Sequence, residues 1–99
     1  MYFFRLQALP DPRAKRDPAA IGAIGAFVNV WIDFAEQEGA EVLARHYVKL
    51  AGWLPQQVED VRCPDVCDYD HDDDSRRYFE QATEHGYCVS FYLYSEKRD

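Results

Sequence analysis

The densest polar constellation in this chain of 99 residues is Cys63, Cys67, Asp68, Asp70, His71, Asp72, Asp73 and Asp74. Thiolate and imidazole are the ligands zinc prefers, so Cys63, Cys67 and His71 supply three suitable donors, with His85 or Cys88 as the fourth. The spacing fits this chemistry poorly. Paired structural ligands usually stand as C-x-x-C or flank a tight turn, whereas Pro64 stiffens the segment between these two cysteines. A metal- or thiol-dependent enzyme centred on Cys63, Cys67 and His71 is therefore an alternative reading, and the preferred expectation is no metal and no cofactor.

Calcium chemistry fares no better. Asp68, Asp70 and Asp72 reproduce the alternating acidic start of a calcium loop, but Asp73 occupies the position that needs glycine. The closing glutamate position holds Phe79, and Glu80 comes one residue late. Asp72 to Ser75 also stand immediately before a helical pattern, where a carboxylate or hydroxyl satisfies free N–H groups and the helix dipole favours negative charge. Capping is the stronger explanation for that part of the cluster.

A cysteine nucleophile needs a neighbouring base. Cys88 with His85 or His46 is the pairing the pattern permits, yet Cys88 falls on a strand and His85 at a helix end before Gly86, so their side chains are expected to diverge. His46 reads as a boundary residue of a helix. The chain contains no phosphate-cradling glycine loop, no nucleophile elbow and no metalloprotease helix. No residue cluster specifies a reaction, and the balance leans away from an enzyme.

Binding chemistry is better represented. From Phe27 to Phe34, Val28, Val30, Ile32 and Phe34 alternate with Phe27, Asn29, Trp31 and Asp33, so one strand carries rings on both sides. Tyr2 to Ala8 places Tyr2, Phe4, Leu6 and Ala8 opposite Phe3, Arg5 and Gln7, and Tyr87 to Tyr94 sets Val89, Phe91 and Leu93 against Cys88, Ser90, Tyr92 and Tyr94. The second face thereby collects Phe3, Phe27, Trp31, Tyr92 and Tyr94, with Arg5, Gln7, Asn29, Asp33 and Ser90 between them. Rings mixed with polar positions are the composition of a recognition surface. Replacing Trp31 by Asp is expected to break self-association and leave the monomer folded.

These strands need helices to complete a core. Ala40, Leu43, Ala44, Tyr47, Leu50 and Ala51 recur at helical spacing, and Gly52 stands where a left-handed cap is wanted. Trp53 and Leu54 close that helix end, and Pro55 prevents its continuation. Val58 to Cys63 makes a poor, charged strand suited to a sheet edge. Tyr78, Phe79 and Ala82 give a second helix its buried side, and Gly86 ends it. The segment 10–25, with Pro10, Pro12, Pro18, Arg13, Lys15, Arg16, Gly22 and Gly25, reads as a loop between antiparallel strands, able to fold back over the ring-bearing face through Ile21 and Ile24. The segment 65–75 reads as an acidic loop. The resulting order β-β-α-β-α-β implies one α+β domain over 1–99: a two-layer sandwich whose four-stranded mixed sheet carries both helices on one face.

The totals narrow the partner. At 47% hydrophobic and 15% aromatic the chain carries enough apolar material to fold, and its net charge of −7 repels phosphate backbones and anionic lipid. Nucleic acid and membrane are therefore not expected partners, even though rings on a sheet can stack bases. Met1 to Arg5 lacks the basic and apolar regions of a signal peptide, and three cysteines cannot all pair, so a cytoplasmic protein with free thiols is expected.

The segments GAFVNVWIDF, GAEVLARHYVKLAGW and YFEQATEHG resemble short uncharacterised bacterial α+β proteins, similar in plan to ferredoxin-like domains. The resemblance rests on packing and capping residues, so it implies a fold and no activity; opening with two strands departs from the ferredoxin-like order. The expectation is a small module that binds a protein partner or itself through the helix-free face or the acidic loop, as a homodimer or with a basic target. An immunity-type inhibitor of a basic toxin suits its size and charge. A small-ligand carrier, with a pocket under the segment 10–25, is a further alternative.

Overall fold

The computed structural model describes residues 1–13, 23–69 and 72–95, with the side chains of Ala23, Val66, Cys67 and Ser95 outside the description. Four strands and two helices follow one another as β1 (Tyr2–Pro10), β2 (Ala23–Ile32), α1 (Gln37–Leu50), β3 (Trp53–Arg62), α2 (Asp73–His85) and β4 (Tyr87–Ser95). A 3-10 turn over Val66–Tyr69 leads into α2. This is an α+β fold with the expected element order.

Alternation places Phe4, Leu6 and Ala8 of β1 beside Val28, Val30 and Ala26 of β2, all buried on one face of the sheet. Against them α1 lays Ala40, Ala44 and Val48, and Trp53 completes this main core. The small alanines let the helix approach closely. Gly52, at φ 93°, turns the chain from α1 straight into β3, and Gly86, at φ 92°, does the same between α2 and β4. Both are positions where a side chain would force an unfavourable left-handed backbone, as the sequence predicts.

Three expectations need correction. First, the sheet is antiparallel throughout, in the order β3-β1-β2-β4, and not mixed. The crossover through α1 carries the chain past β1, so β3 pairs with β1 while running in the same direction as β2. Second, the helices lie on opposite faces. Tyr78, Phe79 and Ala82 of α2 pack with Phe3, Trp31 and Cys88, the odd-numbered side of β1 and β2. The result is three layers in place of two, because that end of the second face is apolar and an amphipathic helix buries it.

Third, β3 begins at Trp53, before the expected start at Val58, with Pro55 inside it. Proline is tolerated on an edge strand where its missing N–H would face outward. β1 and β2 likewise extend to Pro10 and from Ala23, so Ile24 and Gly25 belong to a strand. A Cβ at Gly25 would meet the ring of Tyr94 on β4, which would have to shift to admit it. The remainder of the expected 10–25 loop, from 14 to 22, lies outside the described residues.

Candidate functional site

The second face is divided by α2. At one end Trp31 is sandwiched between the rings of Phe3 and Tyr78, with centroids 5.0 and 5.3 Å away. Its indole N–H donates to the Tyr69 hydroxyl at 3.1 Å, tying the 3-10 turn to the sheet. Phe3 is 5% exposed and Trp31 2%. These two of the five expected interface residues are core residues. The face therefore is not helix-free, and Trp31→Asp would place a charge in a closed apolar site, which costs folding stability before it touches any interface.

The other end of the face is open among the described residues. Phe27 and Tyr92 are cross-strand neighbours, 44% and 50% exposed. Tyr94 is half-buried, its ring 5.2 Å from that of Phe27. Between the rings and the β3 edge runs a hydrogen-bonded lattice. The Tyr94 hydroxyl donates to Gln7 Oε1 at 3.3 Å, Gln7 Nε2 donates to Glu59 Oε2 at 2.6 Å, and Arg5 Nε donates to Asn29 Oδ1 at 3.3 Å. Arg62 pairs with Asp60 at 2.8 Å along the rim. Arg5, Phe27, Asn29, Glu59 and Tyr92 line an open depression of about 470 Å³. It continues past Arg5 and Asn29 into a smaller recess of about 200 Å³ beside Asp72 and Ser75 at the start of α2.

The polar cluster disperses. Asp72 caps α2: its carboxylate accepts from the Ser75 backbone N–H at 3.2 Å and from the Ser75 hydroxyl at 2.9 Å. Those bonds, the backbone one foremost, hold its pKa below the usual carboxylate value. Asp68 accepts from the Asp65 N–H at 2.8 Å, a local turn contact. Asp74 pairs with Arg77 at 2.8 Å within the helix. Cys63 is exposed and free. His71, Asp70 and the Cys67 side chain lie outside the described residues, and among the described residues no three His, Cys, Asp or Glu side chains gather to hold a metal ion.

Cys88 is buried, and burial pushes its thiol pKa up, away from the thiolate a nucleophile requires. Its thiol donates to Gln81 Oε1 at 3.3 Å. His85 is exposed beside Glu84, and His46 is exposed on α1 with its ring 5.5 Å from that of Tyr47. Neither histidine is the hydrogen-bond partner of the thiol.

Comparison with protein families, with curated proteins and with solved structures finds no match to this chain. Among the described residues no helix is long and apolar enough to cross a membrane.

Proposed function

We propose that this chain is a protein-binding module whose partner docks on the open half of the second sheet face. The observation that carries the reading is the exposed pair Phe27 and Tyr92, set on a rigid central sheet and bordered by polar groups already held in place. Rings give contact area at little conformational cost, and pre-ordered hydrogen-bonding groups reduce what binding must organise. The partner is cationic. A lysine or arginine side chain laid across Phe27 and Tyr92 gains cation–π attraction and finds the Glu59 carboxylate at the same depression. The net charge of −7 steers such a partner toward the surface. An immunity-type inhibitor of a basic toxin is one setting that suits this size and charge. An exposed free thiol at Cys63 is compatible with a reducing, cytoplasmic location.

A photoreactive amino acid placed at Phe27 or Arg5, with a control at the exposed Val42 of α1, tests the reading in living cells of the source. A shared adduct with one basic protein at Phe27 and Arg5, absent at Val42, is the expected result. Identical adduct patterns at all three positions, or none at the sheet positions, would refute it.

A further inference from the structure

The two edges of the sheet are built differently. β3 carries Pro55, Glu59, Asp60 and Arg62, and its pairing with β1 is interrupted by two register shifts. Such proline, charge and irregularity are the devices by which an edge strand rejects further pairing. β4 has neither the proline nor the charge, and the register shift in its pairing with β2 lies at its far end, between Ala23 and Gly25. Its nine residues, Tyr-Cys-Val-Ser-Phe-Tyr-Leu-Tyr-Ser, contain no charge, proline or glycine, in a chain of which 29% is charged. Tyr87 and Leu93, 39% and 45% exposed, flank it on the side where α1 rests on β1, β2 and β3.

The ladder fixes which backbone groups remain free. Asp33 N–H donates to the Gly86 carbonyl at 2.9 Å, and Asp33 lies directly opposite Gly86 in the register that pairs Ile32 with Tyr87. In an antiparallel pair, bonded and non-bonded positions alternate. Cys88, Ser90 and Tyr92 therefore bond inward to β2, and Tyr87, Val89, Phe91 and Leu93 direct their N–H and C=O groups away from the sheet. Among the described residues no strand receives them.

We infer that a second copy of this chain receives them: two β4 strands pair antiparallel about a two-fold axis at Ser90, joining two four-stranded sheets into one. Only this centre sets Tyr87 opposite Leu93 of the second copy and Val89 opposite its Phe91, so that all four outward residues exchange both bonds. The facing side chains are apolar on the α1 side. On the other side Ser90 meets Ser90 and Cys88 meets Tyr92, so no charge opposes a like charge. The β3 edge cannot accept β4 of a neighbour in the same way, so the association closes as a dimer and does not grow into a filament.

Sedimentation of the full chain should give twice the 11.6 kDa chain mass. Leu93→Pro removes one outward donor and no bond to β2, and Ser90→Lys sets two like charges across the axis. Each should weaken the dimer roughly tenfold or more, while circular dichroism shows the fold retained. The register has its own readout. In a Cys63→Ser, Cys67→Ser background, Ser90→Cys should oxidise to a disulfide-linked dimer, because directly opposed residues of a non-bonded pair are within disulfide reach. Tyr94→Cys in the same background should not. A wild-type chain that sediments as a monomer at submillimolar concentration overturns the proposal. So does a dimer indifferent to both edge variants, or one in which Ser90→Cys fails to cross-link. Phe27 lies one strand in from this edge, so failure of the dimer leaves its adduct with a basic partner unaffected, and the two readings fall separately.

Discussion

Replacing Trp31 by alanine tests the division of the second face. Trp31 is almost wholly buried, between Phe3 and Tyr78 and beneath α2, so its removal strips nearly the entire ring from the protein interior. Buried Trp→Ala changes cost about 3 to 5 kcal/mol, the spread reflecting how far the walls collapse. The lost hydrogen bond adds little, because Tyr69 is only half-buried and its hydroxyl can return to water. An expected loss of about 4 kcal/mol is a large share of the roughly 5 to 15 kcal/mol that stabilises a domain of this kind. Tyr92→Ala, on the same face but half exposed, should cost less than about 1 kcal/mol. Urea titrations followed by far-ultraviolet circular dichroism at one fixed protein concentration separate the two. With a slope near 1.5 kcal/mol per molar, the Trp31 variant loses about 3 M from its midpoint and the Tyr92 variant well under 1 M. Equal, small shifts for both would mean that α2 does not close over Trp31, and the partition of the face would be wrong.

Other outcomes follow from single residues. Gly86→Ala meets no neighbouring atom, so its cost is the left-handed backbone alone, about 1 to 2 kcal/mol, read as a fall in melting temperature of roughly 5 to 10 °C; Gly86→Asn should fall less. Iodoacetamide should label Cys63 before Cys88, whose raised pKa and burial protect it, and simultaneous labelling would contradict that burial. Since the neutral thiol is favoured in the folded state, the Cys88 contribution to stability is complete below the unfolded-state pKa and is lost as pH rises through the folded-state value. Asp72 has the opposite sign of dependence: its lowered pKa gives stability present above the unfolded value near 3.8 and lost as pH falls through the folded value. The gap in urea midpoint between wild type and Asp72→Ala should accordingly narrow in acid, and a gap independent of pH would rule out the charged cap.

Side-chain parity was readable because a strand buries alternate residues: Phe4, Leu6, Val28 and Val30 share a face for no reason other than a period of two. Gly52, Gly86 and Asp72 were readable because each meets a local backbone demand. The face chosen by α2 was not, since Tyr78, Phe79 and Ala82 make an apolar stripe that fits either side of a sheet. The available signal lay on the strands instead. Along the second face Phe3, Trp31 and Cys88 are apolar at one end, while Arg5, Asn29 and Gln7 are polar beyond them, which is the outline of a helix covering half a surface. The start of β3 is hidden because Trp53, Leu54 and Pro55 read equally as the close of α1, although an edge strand tolerates the proline. The site was legible to a similar degree: five rings on one face, but not which of them a helix would claim.

The placement of β3 and β4 on opposite borders sets the order of events on the ribosome. β1 and β2 can close as a hairpin soon after they emerge, and β3 joins β1 after one crossover. The flank of β2, rich in Ala, Val and Ile, then stays bare until α2 and β4, the last of the four strands, have been translated. Nascent chains stalled before Tyr87 thus display a long uncharged border to one another, and synthesis rate through α2 and β4 becomes a determinant of how much product escapes aggregation.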